Sequence, residues 1–377
     1  MTTPFPSGDD EVLTPPDAAE VQLLASGVTS AIATASGLTP LQNILISAMF
    51  DAMTGHTPEH PIAPITAADF ARGLAGRNAA FRTRMLQVML LGALVLRPLP
   101  REVAEQFEAF AREMSVDDGM LDVAHRYAEG SFDLAAFDFD RNGYTADWSA
   151  DRQQALHSSR TLQDPWAVTV DDPALAARWR SLEDLPQGTL GRQVTELYRA
   201  RGFAYPGTEG SAPPLLAQHD WVHVLADYGT TVTSELEVLG FIARANDDPR
   251  AFSLLAMVVS LFETGYLRTG AGLFEAFPGQ LSRDGVAVRI ADAMRRGALV
   301  DGSIDFLGID WFEVAALPLD AARSRFAVVA KAPSAVEAGS VGPRDQGGIS
   351  EYQLTEGRAL AARNGVPYEA YGATATT

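Results

Sequence analysis

The chain has 377 residues, 47% hydrophobic and 20% charged, enough material for two or three globular domains with ample cores. It contains no cysteine, which excludes disulfides, thiolate metal sites, iron–sulfur clusters and a cysteine nucleophile; any metal must be held by imidazole, carboxylate or water. The formal charge of -19, with Lys331 the only lysine, argues against nucleic-acid partners and against electrostatic docking on anionic lipid.

Residues 1–20 are proline-rich and acidic and read as a loose arm. Their opening, MTTPFPSGDDE, has acids and no arginine, unlike a secretory signal or transit peptide, so the expected location is cytoplasmic. From Val21 the pattern is helical, and 21–150 is read as an N-terminal interaction domain. Leu38-Thr39-Pro40 marks a helix start, with Leu41, Ile44, Leu45 and Ala48 on one stripe. Met85, Met89, Leu90 and Leu94 repeat that spacing ahead of Pro98 and Pro100. The apolar run from Met85 to Leu96 is broken by Gln87 and too short to span a bilayer, so any membrane contact would be peripheral. A third amphipathic helix buries Val103, Phe107, Phe110, Ala111 and Met114.

The stretch from Phe132 to Pro173, rich in Asp, Gly, Asn and Pro, reads as a long connection. A second helical domain is expected over 172–330. Residues 331–377 are small and polar and read as a mobile tail, with one short helix near Thr355 to Arg363. Strand-like alternation is scarce. The expected class is all-α: two helical domains, a long connection and a flexible C-terminal tail.

Six histidines occur, and two of them, His219 and His223, fall in QHDWVH. Pro213-Pro214 opens that segment as a helix, with Leu215, Leu216, Val222 and Leu225 as its apolar stripe. Residues four apart stack on one helix face, so both imidazoles point the same way. Asp220, about 100° round the helix, can reach the same point or hold one imidazole from behind. Such a set suits zinc, or non-haem iron or manganese. Glu235 lies twelve residues beyond His223 and would be roughly 18 Å away along one straight helix. It can join the site only if the chain turns, and Gly229-Thr230-Thr231 supplies a break. Ser234 and Glu237 have capping-box spacing, a start rather late for Glu235. The bland reading is a solvated histidine pair on an acidic helix.

The pattern His-Asp-x-x-His, eleven residues, then Glu resembles the signature of the ubiquinone (coenzyme Q) biosynthesis protein 4 family, complete here as HDWVHVLADYGTTVTSE. LEDLPQGTLGR (Leu182 to Arg192) resembles that family's upstream segment, and Arg295-Arg296-Gly297, Asp310-Trp311, Pro318-Leu319 and Arg323 resemble its closing helices. The similarity covers about residues 172–328. PPLLAQ departs from the basic residues usual ahead of the first His, and Ser234 from the usual glycine before the glutamate. Arg84 to Asp122 faintly resembles TerB-like helical domains. The resemblance implies His219, Asp220, His223 and Glu235 as ligands of a divalent metal, zinc first, with iron, manganese or magnesium as alternatives. It implies a lyase acting on the ring carboxylate of a polyprenylated hydroxybenzoate by decarboxylation, oxidative in some versions. The implied partners are a polyprenylated aromatic or isoprenoid lipid and a quinone-biosynthesis complex, with a homodimer as a further candidate assembly. A prenyl chain needs an apolar slot, for which FSLLAMVVSLF (Phe252 to Phe262), Leu239, Phe241 and Ile242 are candidates, although core packing is the commoner role of such residues. Asp227 and Glu263 read as surface or capping acids, and Arg192 as a structural pairing.

Other classes compete. A zinc hydrolase would need Asp220 in place of a glutamate base, one methylene short of a metal-bound water. A His-Asp phosphohydrolase needs a further upstream His, and His157 lies in the connection. The main alternative is a non-catalytic lipid-binding or scaffold protein with a structural metal, the case if four protein ligands close the site.

Overall fold

The computed structural model describes residues 16–96, 100–116, 172–208, 211–212, 214–245, 255, 268–269, 272–273, 280–281, 283–300 and 304–372. Among them the protein is all-α, apart from one antiparallel pairing of Arg268–Thr269 with Gly272–Leu273. The proposed connection, Phe132 to Pro173, lies outside the described residues up to 171.

The first block comprises α1 (Ala18–Ile32), α2 (Pro40–Thr54), α3 (Ala67–Gly73), α4 (Ala79–Leu94) and α5 (Arg101–Glu113). The arm read over 1–20 needs correction at its end. Asp17 caps α1, its carboxylate accepting from Glu20 N while Glu20 reaches back to Asp17 N, so 18–20 are helical. α2 starts at Pro40 as expected, and its first turn is closed by Thr39 and Gln42. The buried stripe is shifted from the expected one: Leu45, Ile46, Met49 and Phe50 face the core, while Leu41 and Ile44 are half-buried. Gln42, fully buried, donates to Ile32 O and Gly92 O and so ties α1 and α4 to α2. All five residues expected on the buried face of α5 are buried.

The second block holds α6 (Pro173–Ser181), α7 (Leu190–Arg201), α8 (Pro214–Ala226), α9 (Val232–Ala245), α10 (Val286–Ala298) and α11 (Leu319–Arg325). α10 lies against α9, where a side chain at Gly297 would collide with Phe241 O. It also packs on α2, and Arg84 of α4 donates to Ala243 O at 2.8 Å. The two blocks therefore share one apolar cluster.

The expected tail is corrected over its described length. Residues 331–372 form α12 (Pro333–Glu337) and α13 (Glu351–Asn364), and α13 packs on α7. The small residues that suggested looseness are there for close approach: a side chain at Gly357 would run into Ala200 O. Tyr368 Oη donates to the same carbonyl at 3.0 Å, and Tyr371 Oη to Gln193 Oε1 at 2.9 Å. No helix among the described residues is long and apolar enough to cross a membrane.

Candidate metal centre

α8 ends at Ala226 and α9 begins at Val232. Between them Asp227 takes a left-handed backbone (φ 65°), and Tyr228 N returns to His223 O at 2.9 Å. The chain thus turns where Gly229-Thr230-Thr231 offered a break. The late cap from Ser234 to Glu237 does not form. Thr231 Oγ1 instead sits 3.2 Å from Ser234 Oγ, Glu235 N bonds Thr231 O, and Glu235 falls in the first turn of α9.

This turn brings Glu235 back onto the histidine pair. Glu235 Oε2 lies 3.3 Å from His219 Nε2, and Oε1 lies 3.3 Å from His223 Nε2. Donor atoms of these three residues all lie within 4.8 Å of one another, and no other such set of three occurs among the described residues. The site is closed off from solvent: His219 is 3% exposed, His223 0% and Glu235 2%.

The far sides of the rings fix their chemistry. His219 Nδ1 bonds Leu216 O; His223 Nδ1 lies 2.7 Å from Gly229 O and 3.3 Å from Tyr228 O. A carbonyl only accepts, so each Nδ1 carries its hydrogen and each ring turns its Nε2 to Glu235. His223 Nε2 and Glu235 Oε1 are buried with no hydrogen-bond partner. Burial pushes the Glu235 carboxyl up, and only positive charge at the histidine side of the site pulls it below the usual carboxylate range. Lone pairs facing each other out of water need positive charge among them. Protonating both rings would place two imidazolium groups with centroids 5.2 Å apart in a buried site, where like charges repel. A divalent cation satisfies all three donors at once, so His219, His223 and Glu235 can hold a metal ion.

Asp220 is fully buried but outside this triad. Its Oδ1 lies 3.7 Å from His219 Nε2, and its Oδ2 accepts from Tyr198 Oη at 2.5 Å. Tyr198, on α7, was not singled out from sequence, since a lone tyrosine 22 residues upstream carries no pattern. Beneath the helix, Trp221 stacks on Trp311 with centroids 5.6 Å apart.

The stretches that carry the family resemblance have local structural work around this helix. Leu190 N and Gly191 N donate to Leu317 O and Ala315 O, so LEDLPQGTLGR meets the segment before Pro318-Leu319. Arg323 donates to Leu225 O at 2.9 Å, closing the C-terminus of α8. Arg192 pairs with Glu196 at 3.2 Å and bonds Glu183 O, as a structural residue would. The Asp227 side chain is half-exposed, 3.5 Å from Lys331 Nζ. Of the apolar slot candidates, Leu239, Phe241 and Ile242 are buried in the core, as is Leu255; the rest of Phe252 to Phe262, and Glu263, lie outside the described residues. His56 and His60 are exposed, and His125 and His157 lie outside the described residues. A cleft of about 980 Å³ between α7 and α13, lined by Arg192, Arg199, Arg344 and Tyr368 among others, includes none of the metal-site residues.

Comparison with protein-family models, with curated proteins and with solved structures finds no match to this chain.

Proposed function

We propose that the chain is a divalent-metal protein of quinone biosynthesis, acting on the ring carboxylate of a polyprenylated hydroxybenzoate, with zinc as the first candidate metal and iron, manganese or magnesium next. The observation that carries the metal is the convergence of three buried side chains on one point: His223 Nε2 and Glu235 Oε1, 3.3 Å apart and both without a hydrogen-bond partner, with His219 Nε2 3.3 Å from Glu235 Oε2. Two imidazoles and a carboxylate, without sulfur, form a donor set typical of catalytic zinc and non-haem iron. The substrate class rests on the resemblance of HDWVHVLADYGTTVTSE to the ubiquinone biosynthesis protein 4 family, in which Asp220 would be the fourth ligand. When bound, such a metal supplies Lewis-acid charge for a phenolate or carboxylate oxygen. The chain's own part is to hold both rings by their Nδ1 hydrogens, to aim the Glu235 carboxylate at them and to shield the site from water. A prenylated aromatic lipid is the proposed partner, taken up at the membrane periphery from the cytoplasm.

A second reading, a non-catalytic prenyl-lipid-binding or scaffold protein with a structural metal, is favoured by the near-complete burial of His219, His223 and Glu235. Cobalt substitution separates the two. A cobalt spectrum that shifts when azide or a hydroxybenzoate is added signals an open coordination position and supports catalysis; an unresponsive spectrum supports the structural role. For the substrate class, solvent extraction of the purified protein is expected to release an isoprenoid lipid by mass spectrometry. Extracts free of isoprenoid, with no carbon dioxide released from a polyprenyl-hydroxybenzoate by the zinc-loaded chain, would remove that class.

A further inference from the structure

The turn that creates the metal site is bonded mainly by a segment far beyond it in sequence. Gly229 N donates to Val341 O at 2.9 Å, and Thr230 N to Gly348 O at 3.0 Å. Arg201, fully buried at the end of α7, donates from Nε to Thr230 Oγ1 at 2.6 Å and from Nη2 to Gly348 O at 2.8 Å and Pro343 O at 3.1 Å. Gln353, fully buried on α13, completes the clamp: its Oε1 accepts from Thr230 Oγ1 at 2.9 Å and its Nε2 donates to Thr230 O at 2.8 Å. Backbone meets backbone here, since a Cβ on Gly229 would sit 2.8 Å from Gly348 Cα.

One rigid unit links the clamp to the site. The Gly229 carbonyl and the Thr230 amide belong to a single planar peptide group. Its amide is fixed by Gly348 O, and its carbonyl holds His223 Nδ1 at 2.7 Å. Rotation of that plane would break both bonds and leave His223 Nδ1 only the longer contact to Tyr228 O at 3.3 Å.

We infer that residues 341–353, through Thr230, are a positioning element of the metal site: they set its affinity by fixing the peptide that orients His223. The inference rests on the metal reading above and reaches beyond the 172–328 stretch on which that reading draws. Outer partners of metal-binding histidines typically change metal affinity by 10–100-fold. By linkage, metal must in turn hold residues 341–353 in place by the same factor.

The test is a zinc titration of the full-length chain against a competing chelator, with melting temperatures recorded with and without zinc. Thr230→Val keeps the shape and removes the hydroxyl; Gln353→Met removes the amide. Each is expected to weaken zinc binding about tenfold or more and to shrink the zinc-induced rise in melting temperature. Thr230→Ser, which keeps the hydroxyl, is expected to bind zinc like the wild type. Variants that melt lower while holding zinc as tightly as the wild type would show a purely structural clamp and overturn the inference, leaving the metal reading standing. A wild-type chain that binds no zinc would remove the metal reading, and this inference with it. Hydrogen exchange on the wild type needs no variant: zinc should slow exchange across 341–353, and unchanged exchange there would also overturn the inference.

Discussion

At the scale of single residues, the site is legible where residue type and spacing are both unusual. His219, His223 and Glu235 are such residues: a histidine pair at helical spacing and an acid that needs a bend to reach it. Their partners are not. Tyr198 and Arg201 are ordinary residues on the previous helix, and only the folded chain brings them to Asp220 and Thr230. Tyr198 donates to a carboxylate with no exposure, and hydrogen bonds to charged groups contribute about 1.5–3 kcal/mol. Tyr198→Phe should lower stability by about that amount, read as a smaller unfolding free energy in urea; an unchanged midpoint would mean that Asp220 is satisfied without Tyr198.

A second residue-scale expectation concerns acid. Arg77 donates to Glu20 from α1 at 2.8 Å through Nε, and with the Asp17 amide it holds the Glu20 carboxyl below its ordinary 4.5 despite partial burial. A lowered folded value means that the stabilisation is present above the unfolded value and is lost as pH falls through it towards the folded one. Wild-type stability should therefore drop more steeply below about pH 4.5 than that of Glu20→Gln. Parallel urea midpoints for the two proteins across that range would contradict the assignment.

Among elements, helix starts are legible where proline or a capping residue marks them, as at Pro40 and Pro214. The start of α9 is ambiguous in sequence because Thr231 and Ser234 lie three apart and either could cap. Thr231 precedes the helix, which puts Glu235 inside the first turn. The close approach of the α8–α9 turn to the segment at Gly348 has no local signature either. It shows in space, where a Cβ on Gly229 would sit 2.8 Å from Gly348 Cα, while a Cβ on Gly348 itself would collide with Gly342 O. Gly348→Ala should cost about 1–3 kcal/mol through overpacking, measured as a lowered thermal midpoint. A midpoint equal to the wild type would show that the segment can move aside, and with it the clamp on Thr230.

For the molecule as a whole, the all-α class followed from helical periodicity and the scarcity of alternating strands. The relation between the blocks did not, because the contact of α10 with α2 joins residues far apart in the chain. The C-terminal segment contains the helix expected near Thr355 to Arg363 and is more closely packed than its composition suggests. Small polar residues usually mean looseness, yet here they let α13 lie against α7 and let Gly348 reach Gly229. Composition alone could not separate those cases, since both call for residues with little side chain. The fold that results is a helical body whose last described segment closes over the turn holding its buried acid.

Everything proposed depends on a cation shared by two imidazoles and one carboxylate, and its presence can be counted. Elemental analysis of the protein purified without added metal should find close to one divalent ion per chain. The paired substitution His219→Ala with His223→Ala, in a chain that still folds, should find none. A wild-type chain free of metal even after zinc is supplied, or a double variant that keeps its ion, would contradict the account.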